Sequence, residues 1–338
     1  ARTETQGIRE SSMTANPLEL TTSERATCRV CHSAQLTPLY SLGNQYVNNF
    51  INPDDLATCI KAPLEMILCE HCTLLQLKHT APQELLYAGF YWYKSGVTDT
   101  MKRALREISE KAETWFSLEA GDVVLDIGSN DGTLLRTYEV PGLITVGVEP
   151  ASNLIEEGRI GLTHCIHDFW NYENYHKEVG TQAKVITALG MFYDMEDPNQ
   201  FISDAAKALT EDGVFIAQLM CLKNMMDTND VGNICHEHLE FYSFHSLEYL
   251  FEHNGLEVFD VEINNVNGAS YRFFARKKGA DVTPAEGADE RIARVRQDEE
   301  GLADKKVHLE FFERLEANKR KCVAFIKREV AKGKKVWV

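Results

Sequence analysis

Four cysteines fall in two tight pairs, Cys28-Arg-Val-Cys31 and Cys69-Glu-His-Cys72. Two residues between the thiols let each pair wrap one face of an ion, and two such knuckles complete the tetrahedral four-thiolate shell that suits zinc. That shell leaves no open position for water, so the metal is predicted to hold structure and not to activate a nucleophile. His32 and His71 adjoin the knuckles and are read as bystanders. A second stretch, VVLDIGSNDGTLLRTY, sets Asp126, Gly128, Asn130, Asp131 and Gly132 where a strand passes into a helix. Glycines there let the backbone approach a ligand at the carboxyl end of a strand. The spacing lacks the third glycine of the dinucleotide fingerprint, and its acids would repel a pyrophosphate, which disfavours a nicotinamide dehydrogenase. A sulfonium cofactor bearing an ammonium group tolerates those acids. Glu149 ends the next strand, where a carboxylate can accept hydrogen bonds from both hydroxyls of a ribose. Asp168 and Phe169 follow the third strand, placed to bond an adenine amine and cover its face, and Ala188, near the end of KVITAL, is counted with the same site. A third cluster, His236, Glu237 and His238 in CHEHLEFYSFH, offers a base of near-neutral pKa and a carboxylate to orient it. A second metal is disfavoured there, because adjacent residues do not easily converge on one ion.

Hydrophobic patterning supplies the frame for these residues. VVLDI (123–127), ITVGVE (144–149), KVITAL (184–189) and GVFIAQLM (213–220) are apolar runs of strand length, with helical stretches such as 198–210 between them. The alternation predicts an α/β fold: strand–helix–strand units on a mostly parallel sheet covered on both faces. LEVFDVEI (256–263) and SYRFFARK (270–277), joined through Asn265, Asn267 and Gly268, suit an antiparallel hairpin closing that sheet. Residues 97–118 carry helical spacing and lead into this domain. The chain thus divides into a polar, aperiodic extension or expression remnant (1–24), a zinc-binding module (25–90), a cofactor-binding domain (91–279) and a charged helical segment (280–338). Its last residues, KGKKVWV, read as a basic turn and the first strand of a further domain.

Fifty-one acidic residues against 35 basic ones give a formal charge of −16, which disfavours a nucleic-acid backbone or an anionic membrane as the main partner. Nine cysteines are an odd number, and the tight pairs point to metal and not to a disulfide framework. Cys59, Cys165, Cys221, Cys235 and Cys322 are read as buried packing residues. Without a long apolar run or a charged-then-apolar leader, the sequence predicts a soluble, cytoplasmic protein. No pattern in it fixes an oligomeric state.

The glycine loop, Glu149 and Asp168-Phe169, in that order, resemble the class I S-adenosylmethionine methyltransferases. More specifically, the paired C-x-x-C knuckles, FYWYKSG, DIGSNDGTLL, GVEP, HEHLEFYS and VNGASYR follow the motif order of the zinc-containing sugar C-methyltransferases, from about residue 26 to the C-terminus. The resemblance implies a seven-stranded Rossmann-like sheet, S-adenosylmethionine as cofactor, a structural zinc, and a small-molecule acceptor. That acceptor is a nucleotide-linked keto-deoxysugar, methylated next to its ketone through an enolate. By the same resemblance His238 is the base, Glu237 and His236 support it or hold the substrate, and Tyr91 and Tyr93 close over cofactor and substrate. Two positions depart from the family pattern: Cys235 stands where well-known members carry Tyr, and Asp194 where they carry His. These replacements change which protons can move near pH 7 and leave the methylated carbon and the acceptor class open. An O- or N-methyltransferase on another natural-product acceptor is the alternative, and a zinc-ribbon binding module on a degenerate enzyme fold a third reading. The resemblance also implies a second Rossmann-like domain beginning with a strand like KKVWV, so a nucleotide-binding surface is expected to lie outside this sequence.

Overall fold

A computed structural model describes residues 22–47, 60–88 and 90–337. The chain opens with five strands, β1 (Ser23–Glu24), β2 (Leu36–Tyr46), β3 (Lys61–Cys69), β4 (Leu75–Leu77) and β5 (His79–Thr80), followed by helix α1 (Asp99–Trp115). Strands and helices then alternate through β6 (Val123–Ile127), β7 (Ile144–Val148), α2 (Ile155–Gly158), β8 (His164–Ile166), α3 (Tyr172–Val179), β9 (Ala183–Leu189), α4 (Pro198–Ala208) and β10 (Leu209–Met220). After them come α5 (Leu222–Thr228), β11 (Glu240–Phe241), α6 (Phe244–His253), the hairpin β12 (Leu256–Asn264) and β13 (Ser270–Lys277), and helices α7 (Ala288–Asp298) and α8 (Lys305–Ala331).

The expected seven-stranded sheet is present, in the order β12-β13-β10-β9-β6-β7-β8. β10 through β8 run parallel, and the hairpin adds antiparallel at the β10 edge. Successive side chains on a strand point to opposite faces, so a sheet covered on both sides is apolar at most positions. Val124, Val185, Val214 and Ile216 pack on one face against Leu105, Ile108 and Ala112 of α1. Leu125, Ile127, Ile186 and Phe215 pack on the other against Phe201 and Ile202 of α4 and Leu247 and Leu250 of α6. Each such side chain contributes about 1.5–3 kcal/mol on burial.

Several boundaries differ from the sequence reading. The helix read over 97–118 spans Asp99–Trp115: the Thr98 hydroxyl caps it by accepting from Met101 N–H (3.2 Å), and the left-handed Ser117 (φ 48°) ends its line. α4 stops at Ala208 because the chain enters β10 at the next residue. Ser23 and Glu24, read within the N-terminal extension, pair antiparallel with Thr80 and His79. Residues 334–337, read as a strand, form no regular element; Trp337 is 88% exposed, and a strand without a neighbouring edge gains no ladder hydrogen bonds. Cys322, read as buried, is exposed on α8, and Cys59 lies outside the described residues.

The second sheet was not legible at all. Its order is β11-β4-β3-β2, antiparallel throughout, so the strand that follows the His-Glu-His cluster completes the sheet of the zinc module. Leu64, Met66, Leu68 and Leu75 of that module merge into the core cluster on one face of the large sheet. Among the described residues, no helix is long and apolar enough to cross a membrane.

Candidate active site and zinc knuckles

Each C-x-x-C pair closes a turn of the same design. His32 N–H donates to the Cys28 carbonyl (3.1 Å) and Thr73 N–H to the Cys69 carbonyl (3.0 Å), and the residue after each pair, His32 (φ 59°) and Thr73 (φ 61°), is left-handed. The turns bring Cys28 Sγ to 3.5 Å from Cys72 Sγ and Cys31 Sγ to 3.4 Å from Cys69 Sγ, with all four sulfurs within 4.8 Å of one another. Sulfurs on a tetrahedral zinc with bonds of about 2.3 Å lie on the order of 3.8 Å apart, so the set fits that ion. Neither His32 nor His71 belongs to it; His71 meets the Tyr249 ring edge-on at 5.7 Å. Hydrogen bonds from Cys28 and Cys72 hold the Cys69 thiol far below its ordinary range, while hydrogen bonds with Cys28 and Cys69 push Cys72 far above it. Thiols pressed together in this way are relieved by a shared cation.

A cavity of about 600 Å³ opens at the carboxyl ends of β6, β7 and β9, where open α/β sheets take ligands. Gly128 (φ 72°) forms its floor: a Cβ there would meet Met191 Cγ at 2.8 Å. Asp126 is buried, accepts from Thr187 Oγ1 at 2.6 Å, and has its pKa pushed up to about 7 by burial. Glu149, also raised by burial, accepts from Asn130 N–H and Ala151 N–H, both at 2.8 Å, one on each oxygen. A carboxylate has about four acceptor sites, so each oxygen keeps a lone pair for a ribose hydroxyl. Six carboxylates line the cavity, from Asp126, Glu149, Asp194, Glu196, Asp197 and Asp204, and the described lining includes neither Lys nor Arg. This electrostatic setting favours a cationic ligand and opposes a pyrophosphate. S-adenosylmethionine, with its sulfonium and ammonium charges and its ribose, fits the residues present.

Other residues assigned to the cofactor from sequence are placed differently. Asp131 and Gly132 are not in the lining; Asp131 accepts from Gly96 N–H (2.7 Å) and from Thr133 Oγ1 (2.6 Å). Asn130 lines the cavity while its side chain accepts from Ser95 N–H and donates to the Tyr93 carbonyl. Asn153 grips Tyr91 the same way, through N–H and carbonyl both. Hence the FYWYKSG segment is stitched over the glycine loop, and Tyr91 and Tyr93 reach the cavity. Phe169 lines it, whereas Asp168 is exposed and spends its oxygens on Phe169 N–H and Asn174 Nδ2. Ala188 is fully buried in the core beneath.

The cluster at 235–238 is split by the turn that carries it. His238 lines the cavity; its Nδ1 lies 2.8 Å from the Asn233 carbonyl, which can only accept, so the proton sits on Nδ1 and Nε2 keeps its lone pair. Burial lowers its pKa to about 4, which keeps the ring neutral. Tyr193 packs edge-on against it at 4.5 Å. His236 instead points into the zinc module, bonding the Ala62 carbonyl at 3.0 Å, and is not in the lining. Cys235, Glu237 and His238 do bring ligand atoms within 4.8 Å of one another, closer than adjacency in sequence led us to expect. The Cys235 thiol is pushed up to about 12 by burial and the nearby Glu237. Asp194 is buried in the cavity wall, with Oδ1 unpartnered among the described residues and a pKa raised well above the carboxylate range by burial, then by Glu237 and Glu240. Tyr87 and Gln83, missed in the sequence, complete this end; Tyr87 donates to the Glu237 carbonyl (2.8 Å) and Gln83 to that of Asp194 (2.6 Å).

Residues 28–87 match a family model described as "Putative zinc binding domain", and residues 94–261 one described as "Methyltransferase domain". The C-methyltransferase NovU of Streptomyces niveus is 28% identical over 314 residues, spanning 91% of this chain and 74% of that protein. Among solved structures, an S-adenosylmethionine-dependent methyltransferase from Clostridium acetobutylicum is 14% identical with a TM-score of 0.41, covering 54% of this chain and 93% of its own. Magnesium protoporphyrin IX methyltransferase from Synechocystis, with bound S-adenosylhomocysteine, is 12% identical with a TM-score of 0.41 over 55% and 90% of the two chains. The two matched regions fall on the thiolate knuckles and on the acid-lined cavity, the two places where geometry had already put a metal and a cationic cofactor. The chain is an S-adenosylmethionine-dependent methyltransferase in which a zinc-binding domain precedes the methyltransferase domain.

Proposed function

We propose that the enzyme methylates carbon, taking a proton from the position next to the ketone of a nucleotide-linked deoxysugar. One observation carries the reading: a neutral His238, with Nε2 free to accept, shares a cavity with the cofactor loop and with a buried, protonated Asp194. Methylating an oxygen or nitrogen needs little more than a lone pair on the acceptor, whereas methylating carbon needs a base to make the nucleophile and a donor to hold the enolate. His238 Nε2 takes the proton, the C–H electrons form the carbon–carbon double bond, and the carbonyl π electrons move to oxygen. Tyr91 and Asp194, both kept protonated by burial, are the donors for that oxygen. Bound S-adenosylmethionine supplies the electrophilic methyl on its sulfonium. Because the described cavity lining offers no Lys or Arg, the sugar enters and the diphosphate stays outside. The relative NovU bears a C-methyltransferase name, which supports transfer to carbon.

The test is proton wash-in. Incubated in heavy water with a keto-deoxysugar nucleotide and S-adenosylhomocysteine, the enzyme should place deuterium at one carbon next to the ketone, and His238→Ala should abolish this. Methylated product formed without wash-in would instead assign an O- or N-methyltransferase.

A further inference from the structure

Arg29 lies between the two thiolates of the first knuckle, yet its side chain is turned away from the metal and is fully buried. Its guanidinium donates to the Leu77 carbonyl (2.5 Å), to Gln76 Oε1 (3.2 Å), to Thr80 Oγ1 (2.8 Å) and to Glu196 Oε2 (3.3 Å). Its Nε also lies 3.7 Å from Glu240 Oε1, in a carboxyl group with no exposure that burial pushes well above the usual carboxylate range. Glu196 and Glu240 each stand two residues beyond a group at the acceptor end of the cavity, Asp194 and His238. The two segments are joined directly as well, since Leu239 and Glu240 N–H both donate to the Tyr193 carbonyl at 2.9 Å. Glu196 is gripped further by Thr80 Oγ1 (2.5 Å) and Arg25 (2.8 Å), and Asn199 Nδ2 reaches the Arg29 and Val30 carbonyls at 2.8 and 3.0 Å. A planar, permanently charged fork suits such a junction, and removing a fully buried guanidinium leaves the carbonyl, amide and carboxyl groups it joined without their shared donor.

We propose that Arg29 is a positioning residue: through it the zinc knuckle fixes the two segments that carry Asp194 and His238, so the metal sets the geometry of the acceptor site without touching it. The proposal rests on the reading of that site given above, and its primary test does not use turnover. In Arg29→Met, with zinc content and cofactor affinity both measured, amide hydrogen exchange should rise at least tenfold in 191–199 and 236–241, while 123–132 stays as protected as in the parent. Arg29→Lys, which keeps the charge and loses the fork, should fall between. In turnover with a keto-deoxysugar nucleotide, kcat should drop on the order of 10–100-fold with the KM for S-adenosylmethionine unchanged, the signature of a displaced acceptor site. Unchanged exchange in both segments with zinc retained would overturn the proposal. Should Arg29→Met lose zinc or fail to fold, Glu196→Ala decides by the same exchange readout, since it removes the carboxylate through which Arg29 holds the 191–199 segment, both directly and through Thr80: a loosened segment supports the clamp, an unaltered one overturns it. If the parent enzyme turns over no ketosugar, the function reading fails, and the exchange result still judges Arg29.

Discussion

Asp126 and Glu149 show how a single side chain can be tuned by what surrounds it. Both are buried at the ends of neighbouring strands, and neither has a cation beside it in the described cavity lining. Asp126 has a folded-state pKa near 7 against about 3.9 when unfolded, so the folded chain holds the extra proton. Its contribution to stability is therefore full below about pH 4 and lost as pH rises through 7, with a ceiling of about 4 kcal/mol for three units. Melting temperature should accordingly fall between pH 5.5 and 8.5, less so for Asp126→Asn, and S-adenosylmethionine should stabilise the protein more at the upper pH. Glu149→Gln should weaken S-adenosylmethionine about 10–100-fold by isothermal titration, since each hydrogen bond to a charged group is worth about 1.5–3 kcal/mol. His238→Ala should lower kcat by about 10²–10⁴ while cofactor affinity holds within twofold. The placement of these three in the cavity was readable in the sequence because each ends an apolar strand or sits in a dense polar motif. Asp131 and Asp168 were over-read: a short acid beside a ligand loop is as apt to cap its own turn, and here both do. Tyr87, Gln83 and the outward turn of His236 left no signal, because loop direction is set by tertiary contacts and not by spacing.

Among the elements, the apolar strands were legible since a doubly covered sheet leaves few polar positions to confuse the pattern. β11 is only two residues long, and its pairing with Gln76 and Leu75 spans more than 160 positions of sequence, so no local periodicity could reveal it. The zinc knuckles hold β3 and β4 in place at one end of that sheet, and β11 depends on β4 for its ladder. Withdrawing the metal with a chelator, or replacing Cys72 with Ser, should therefore melt more than the knuckles. Limited proteolysis should open new cleavage sites in both 60–88 and 233–243, and cuts confined to the first segment would show that the sheets are independent.

For the molecule as a whole, the excess of acid bears on how the cofactor arrives. S-adenosylmethionine carries a net positive charge near neutral pH, and a chain of formal charge −16 with acidic side chains lining its cavity attracts it over a Debye length of about 10 Å at 0.1 M salt. Its association rate in stopped flow should decline several-fold between 0.05 and 0.5 M salt. Uncharged S-adenosylhomocysteine should show a much flatter dependence, so salt should also favour release of product relative to capture of the cofactor.

The crossing of β11 into the zinc sheet has a consequence for anyone who would move this catalyst elsewhere. A gene cut at the apparent seam near residue 90 would yield a fragment with a raw strand edge and uncovered aromatic rings at Phe192, Phe241 and Tyr242, which pack in the core cluster shared with the zinc module. Such a piece is set up to self-associate. The two halves should therefore be swapped or engineered together, as one indivisible part.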